Sequence, residues 1–292
     1  MFFSMIFLFN LFYQFGDALS FLLLAAIGLA VIFGMMKIIN LAHGEFITIG
    51  AYGTVVSAKI LKLPLPLAMS IGVLVTVIFG YILERIIIRH LYGRPLDSVV
   101  ATWGISLIVS QSFLVIFGPS FEGLKTPFGN FQLGEYSYSQ YRLLLIFISI
   151  LILIFLYIFF LKSNFGTLAR ATIENPKIAS TLGVRVEKIY TVTFCIGSAL
   201  AGLTGAIYAP TMTIVPSIGQ AFIVSSFVTV VTAGASPFIG LIPAAGFLSL
   251  IQTFVTFHYH ATIGILALLF SVILIIRFLP NGFSELLTKL KK

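Results

Sequence analysis

Nine apolar runs follow one another along this chain, near residues 17–36, 43–60, 65–84, 98–118, 142–161, 189–209, 217–235, 237–257 and 261–279. Several reach the roughly 20 residues that a helix needs to cross the hydrocarbon core of a bilayer. Lipid, not water, must therefore cover most of the outside. The charge content agrees: 9% of residues are charged, against about 25% in a soluble domain. An outer-membrane barrel would show short alternating segments, and this chain has none. The 30 Phe and 25 Gly residues suit packed spanning helices, where small residues let backbones approach. The expectation is an all-α fold: a polytopic integral membrane helical bundle of eight to ten spans, at least one of them broken. Residues 1–292 are read as a single transmembrane domain.

The opening "MFFSMIFLFNLFYQF" has no basic n-region and no small-residue cleavage site. It reads as membrane-embedded sequence and not as a removable signal. The lone cysteine, Cys195, cannot form an internal disulfide and reads as a buried structural thiol. A net charge of +8 raises the question of nucleic acid, but its distribution answers against it. Arg85, Arg89 and Arg94 sit in 85–94; Lys162, Arg170, Lys177, Arg185 and Lys188 sit in 162–188; Lys289, Lys291 and Lys292 form the tail. Basic residues clustered beside spans mark cytoplasmic loops. The loop near 119–141 carries Glu122, Lys125 and Glu135 without positive bias and is placed outside.

One ionisable pair interrupts the apolar pattern, in "IINLAHGEFITIG" at 38–50. Lys37 and Asn40 end one run and a second helical pattern begins, which Asn40 is placed to cap. His43 and Glu45 then fall in or just beyond its first turn, where an anionic side chain is favoured by the helix dipole. Gly44 between them leaves room for another backbone or a solute. Two readings follow. The stretch is a helix start at the membrane surface, or it is a broken helix whose polar end lines a cavity, since ionisable residues at membrane depth commonly mark a solute path. A zinc site fails for lack of ligands, because His90, His258 and His260 lie on other segments. In "ATWGISLI", Thr102, Trp103 and Ser106 place polar groups in a span. Trp103 reads as an interfacial anchor, a core filler or a wall of the path. Gln220, Ser225 and Ser226 read as interhelical hydrogen-bonding groups.

The segment 162–188 is the longest polar stretch assigned to the inside. Within it, Asn175 and Pro176 followed by Gly183 punctuate a short helix: N-cap, first position, and left-handed stop. So short a helix is marginal alone. It packs on its own bundle, or it inserts into a partner subunit. Arg170 and Glu174 stand one turn apart and are placed to pair. No G-x-x-x-x-G-K-[ST] loop occurs, so any ATP hydrolysis must belong to another chain.

Two segments carry a resemblance. "GLAVIFGMMKIINLAHGEFITIGAY" and "ARATIENPKIASTLGVRVEKIYTVTFCIGSALAGLTGAIY" resemble the first permease subunit of ABC importers for branched-chain amino acids and the related importers for urea and short amides. The likeness runs from about residue 20 to 282. "GRPLDSVVATWGISLI" and "GQAFIVSSFVTVV" look more like the urea branch. "TAGASPFIG" at 232–240 departs from the family's Gly-Gly-x-Gly run, with Ala233, Ala235 and Pro237 among its residues.

The resemblance implies a multi-pass protein of the bacterial inner membrane, with no cofactor of its own and no enzymatic site. Its partners would be a second homologous permease subunit, two ATP-binding cassette subunits that use the ATP, a periplasmic solute-binding protein and the lipid bilayer. Arg170, Glu174, Asn175, Pro176 and Gly183 would face an ATPase. Asn40, His43, Gly44, Glu45 and Trp103 would form or gate the path, as a structural gate first and by direct contact second. The main expectation is import of urea or short amides by alternating access; the alternative is branched-chain or other amino acids. Two rivals remain: a stand-alone channel or secondary carrier, and a membrane enzyme using His43 and Glu45 as acid and base.

Overall fold

The computed structural model describes residues 2–134, 136–234 and 237–290; Glu135, Ala235, Lys291 and Lys292, invoked above, lie outside them. The helices are α1 (Phe2–Met36), α2 (His43–Lys59), α3 (Leu65–Ile86), α4 (Pro95–Phe117), α5 (Gln140–Lys162), α6 (Asn164–Glu174), α7 (Pro176–Thr181), α8 (Val186–Tyr208), α9 (Ile218–Ala233), α10 (Pro237–His258), α11 (Ala261–Phe278) and α12 (Gly282–Leu290). Among the described residues, seven helices are long and apolar enough to cross a membrane. Two of the nine apolar runs fall short of this: α2 has 17 residues and α9 has 16. At 1.5 Å per residue each spans about 25 Å, less than the hydrocarbon core of about 30 Å. The expected eight to ten crossings thus resolve into seven full helices and two short ones, since α2 and α9 fill nearly all of their apolar runs and those runs are themselves short.

The chain divides into two compact units: Met1–Ala26, Thr126–Phe155 and Ser226–Lys292 form one, and Ile27–Lys125 with Leu156–Ser225 the other. Helices α1, α5 and α9 contribute residues to both.

The second unit is built on α2, α3 and α8. Lipid offers no hydrophobic drive to press helices together, so close packing through small residues has to do it. A Cβ on Gly50 of α2 would stand 2.2 Å from the carbonyl oxygen of Gly202 on α8, and one on Gly53 would stand 2.9 Å from Gly72 Cα on α3. These backbones touch, and no side chain of any kind fits between them. Phe46 and Phe194 fill the space beside this contact, 5.8 Å apart and edge to face. Further along α2 the Tyr52 ring lies tilted against Phe113 at 4.4 Å, and at its end Lys59 pairs with Glu122 at 2.6 Å.

In the first unit the polar loop forms a hairpin that the sequence did not announce. Strands β1 (Asn130–Leu133) and β2 (Tyr136–Ser139) pair antiparallel, with Asn130 opposite Ser139. The hairpin is tied to α1: the Tyr13 hydroxyl donates to the Ser139 carbonyl at 3.2 Å and accepts from its N–H at 3.1 Å. Asp17 holds Arg142 at 2.5 Å. Ser226 donates to the Ala25 carbonyl at 2.7 Å, the interhelical role expected of it. In "TAGASPFIG", Gly234 ends α9 with φ +90°, and a Cβ there would lie 2.0 Å from Asn281 O before α12. Cys195 is half-buried and not fully buried as expected.

Candidate functional site

The break predicted in "IINLAHGEFITIG" is present. Helix α1 stops at Met36, Lys37 takes a left-handed φ of 53°, and α2 begins at His43. A lysine in that conformation is uncommon, and Lys37 is the exposed end of the turn. Residues 38–42 then run without regular structure in the interior, with Ile38 and Asn40 buried.

Buried backbone outside a helix must find partners elsewhere, and two sources supply them here. The first is Asn40 itself. It does not cap α2 as expected: Ala42 is the N-cap residue and offers no side-chain bond. Instead the Asn40 Oδ1 accepts from Ala42 N–H at 3.1 Å and its carbonyl accepts from His43 N–H at 3.3 Å. Asparagine bonded two residues ahead closes a turn, not a helix end. The second source is α4. Thr102 Oγ1 accepts from Leu41 N–H at 3.0 Å, and its own hydroxyl donates back to Ser98 O at 2.7 Å.

Glu45 and His43 are fully enclosed, at 1% and 0% exposure. Ser106 donates to Glu45 Oε1 at 2.9 Å, while Glu45 Oε2 and Asn40 Nδ2 are buried without hydrogen-bond partners. The His43 ring lies against α1: a Cβ on Gly28 would be 2.9 Å from its Cε1. Gly44 settles which neighbour it admits. A Cβ there would meet Gly219 O at 2.2 Å, so the close approach is to the backbone of α9.

The structure thus brings Asn40, His43, Gly44 and Glu45 into one buried set and adds Ser98, Thr102 and Ser106 from α4. Trp103 is not among them; at 58% exposure it faces outward from α4. Ser98, Thr102 and Ser106 recur every four residues, the spacing of one helix face, whereas Trp103 is a quarter-turn away. That spacing was the available signal.

The segment after α5 matches its punctuation. Asn175 caps α7, accepting from Lys177 and Ile178 N–H at 3.1 Å each. Pro176 holds the first position, and Gly183 has φ +87° with its N–H bonded to Ser180 O at 3.0 Å. Ile178 and Leu182 stand exposed, at 57% and 78%. Arg170 and Glu174 do not pair. Arg170 donates instead to the carbonyl of Phe160, near the end of α5, and to Thr167 Oγ1 at 3.3 Å. An unpaired carbonyl near a helix end competes well for a guanidinium, and the cation leaves Glu174 free of it.

Apolar helices enclosing an interrupted, polar turn define a helical integral membrane protein of the kind in which solute paths are built. Comparison with known sequences makes the class specific. The family described as branched-chain amino acid transport system / permease component matches residues 10–279, and the chain belongs to it. It is 29% identical over 238 residues to the high-affinity branched-chain amino acid transport system permease protein BraD of Pseudomonas aeruginosa, covering 76% of each chain. It is 26% identical over 254 residues to a probable branched-chain amino acid transport permease protein LivH of Methanocaldococcus jannaschii, covering 83% of this chain and 79% of that one. The LivH permease of Escherichia coli K12 is 25% identical over 241 residues, 76% of each chain. No solved structure matches. The protein is accordingly a permease component of a transport system and not an enzyme, multi-pass in the inner membrane.

Proposed function

We propose that this chain is one of two homologous permease subunits of an importer for branched-chain amino acids, driven by two ATP-binding cassette subunits and fed by a periplasmic solute-binding protein. The observation that carries the substrate is the family match across 10–279, joined by relatives named for branched-chain amino acids. The lean toward urea, drawn from "GRPLDSVVATWGISLI" and "GQAFIVSSFVTVV", finds no support among them; the alternative expectation fits better.

Mechanism follows from the two sites. Exposed Ile178 on the capped α7 and Leu182 just after it offer an ATPase an apolar knob. Pro176 and the Gly183 turn fix its direction, and Arg170 anchors the preceding helix to α5. ATP is bound and used by the partner subunits alone. Closure of the ATPases moves α7 and the root of α8. The break at 37–42 is the element that yields, because its backbone is held by side-chain hydrogen bonds, which exchange more readily than a helical ladder. Asn40, His43, Gly44 and Glu45 act as a structural gate, whose shape Thr102 and Ser106 maintain. Trp103, on the outer face of α4, is a wall of the path only where a second permease subunit covers that face.

The test is uptake by the assembled complex with its binding protein, comparing labelled leucine with labelled urea. Leucine accumulation competed by isoleucine and valine, with no urea uptake, is expected. Urea uptake without leucine uptake would overturn the substrate reading.

A further inference from the structure

Glu84 closes the last turn of α3 and is fully buried. A carboxylate so placed needs compensation. Tyr92 donates its hydroxyl to Glu84 Oε1, and Arg89 Nε stands 3.6 Å from the same oxygen. Burial first, and Glu84 next, push the Tyr92 hydroxyl pKa upward, so it stays protonated as a donor. Arg89 then reaches a different helix: its Nη1 is 3.6 Å from Glu187 Oε2, and its Nη2 donates to Thr191 Oγ1 at 3.2 Å. Both residues lie in the first two turns of α8. The Tyr92 ring meets Tyr190 edge-on at 4.9 Å.

This polar set is poor as a stabilising device. Glu84 Oε2 and Arg89 Nε are buried without hydrogen-bond partners, and incompletely satisfied buried charges favour the fold little, if at all. Its position is more telling. α8 begins at Val186, just after α7 ends at Thr181. Thus one guanidinium is shared between the root of α3 and the root of the helix that α7 leads into. Both helices touch α2 backbone to backbone at Gly53–Gly72 and Gly50–Gly202, and α2 carries His43 and Glu45.

We propose that Arg89 is a positioning residue for transport, coupling displacement of the segment 162–188 to α3 and so to the broken turn at the start of α2. The proposal rests on the reading of α7 as the ATPase-facing element.

The experiment uses the complete complex in proteoliposomes and reads leucine uptake and ATP hydrolysis together. For Arg89→Ala the uptake per ATP hydrolysed is expected to fall about five-fold or more, with hydrolysis retained. Arg89→Lys, which keeps charge but not the forked geometry, should fall between. Glu187→Ala removes a carboxylate whose side chain is 73% exposed, so folding is spared, and it should lower the same ratio. The double variant should be no worse than Arg89→Ala, because the two act through one contact. An unchanged ratio in assembled Arg89→Ala, or independent effects in the double variant, would overturn the proposal. If Arg89→Ala fails to assemble, Glu187→Ala decides: an unchanged ratio there overturns it. Wild-type complex that takes up no leucine would instead strike at the substrate reading.

Discussion

At the scale of single residues, the buried turn in "IINLAHGEFITIG" is held by side chains and not by a helical ladder. Glu45→Gln keeps the side-chain shape and an oxygen for Ser106 to donate to, and replaces the ionisable carboxyl by an amide. A gate that does not itself touch solute predicts normal amounts of complex, slower uptake and an unchanged apparent KM for leucine. A raised KM would mean direct solute contact. Gly44→Val tests the other side: its Cβ would press on the Gly219 carbonyl at 2.2 Å. Overpacking of this kind costs about 1–3 kcal/mol, and a lowered melting temperature of the purified complex is expected before any question of transport. The ionisable pair was visible in the sequence because charge stands out against an apolar background. Thr102 and Ser106 were visible but unassigned, since a hydroxyl in a span reads the same whether it bonds its own helix or a broken turn sixty residues away. Asn40 was assigned to the wrong turn for a related reason: Asn closes caps and turns by the same bond, and only the backbone tells which.

At the scale of elements, α7 was legible residue by residue because capping is local chemistry. Asn175, Pro176 and Gly183 each act within four residues of themselves. Asn175→Ala should cost about 1 kcal/mol of local helix stability, and as α7 is two turns long it would lose much of its order. The expected readout is weaker association with the ATPase subunits in a pull-down, with the permease still present in the membrane. Intact association would argue that α7 does not face them. The partner of Arg170 was not legible, since Glu174 one turn away looked ideal on a helical wheel. What decided it was the carbonyl of Phe160, ten residues back and brought near by the turn between α5 and α6. The hairpin at 130–139 was missed likewise, because its four-residue strands are too short for alternation to register and depend on Tyr13 of a distant helix.

At the scale of the molecule, the apolar runs gave the fold class directly, and the structure changed the count by showing that two of them are too short to span alone. Those two, α2 and α9, meet where Gly44 faces Gly219. Periodicity alone does not distinguish such short helices from full spans. Substrate was the least legible property. The spans present few charged groups that would tell a neutral solute from an amino acid, so the residues themselves gave the lean toward urea little to rest on. The most direct test of the central claim compares proteoliposomes holding this chain alone with those holding the full complex, each with and without ATP inside the cassette compartment, using labelled leucine. Uptake is expected only in the full complex with ATP and binding protein. Leucine flux through the chain alone, or through the complex without ATP, would contradict it and favour a channel or secondary carrier.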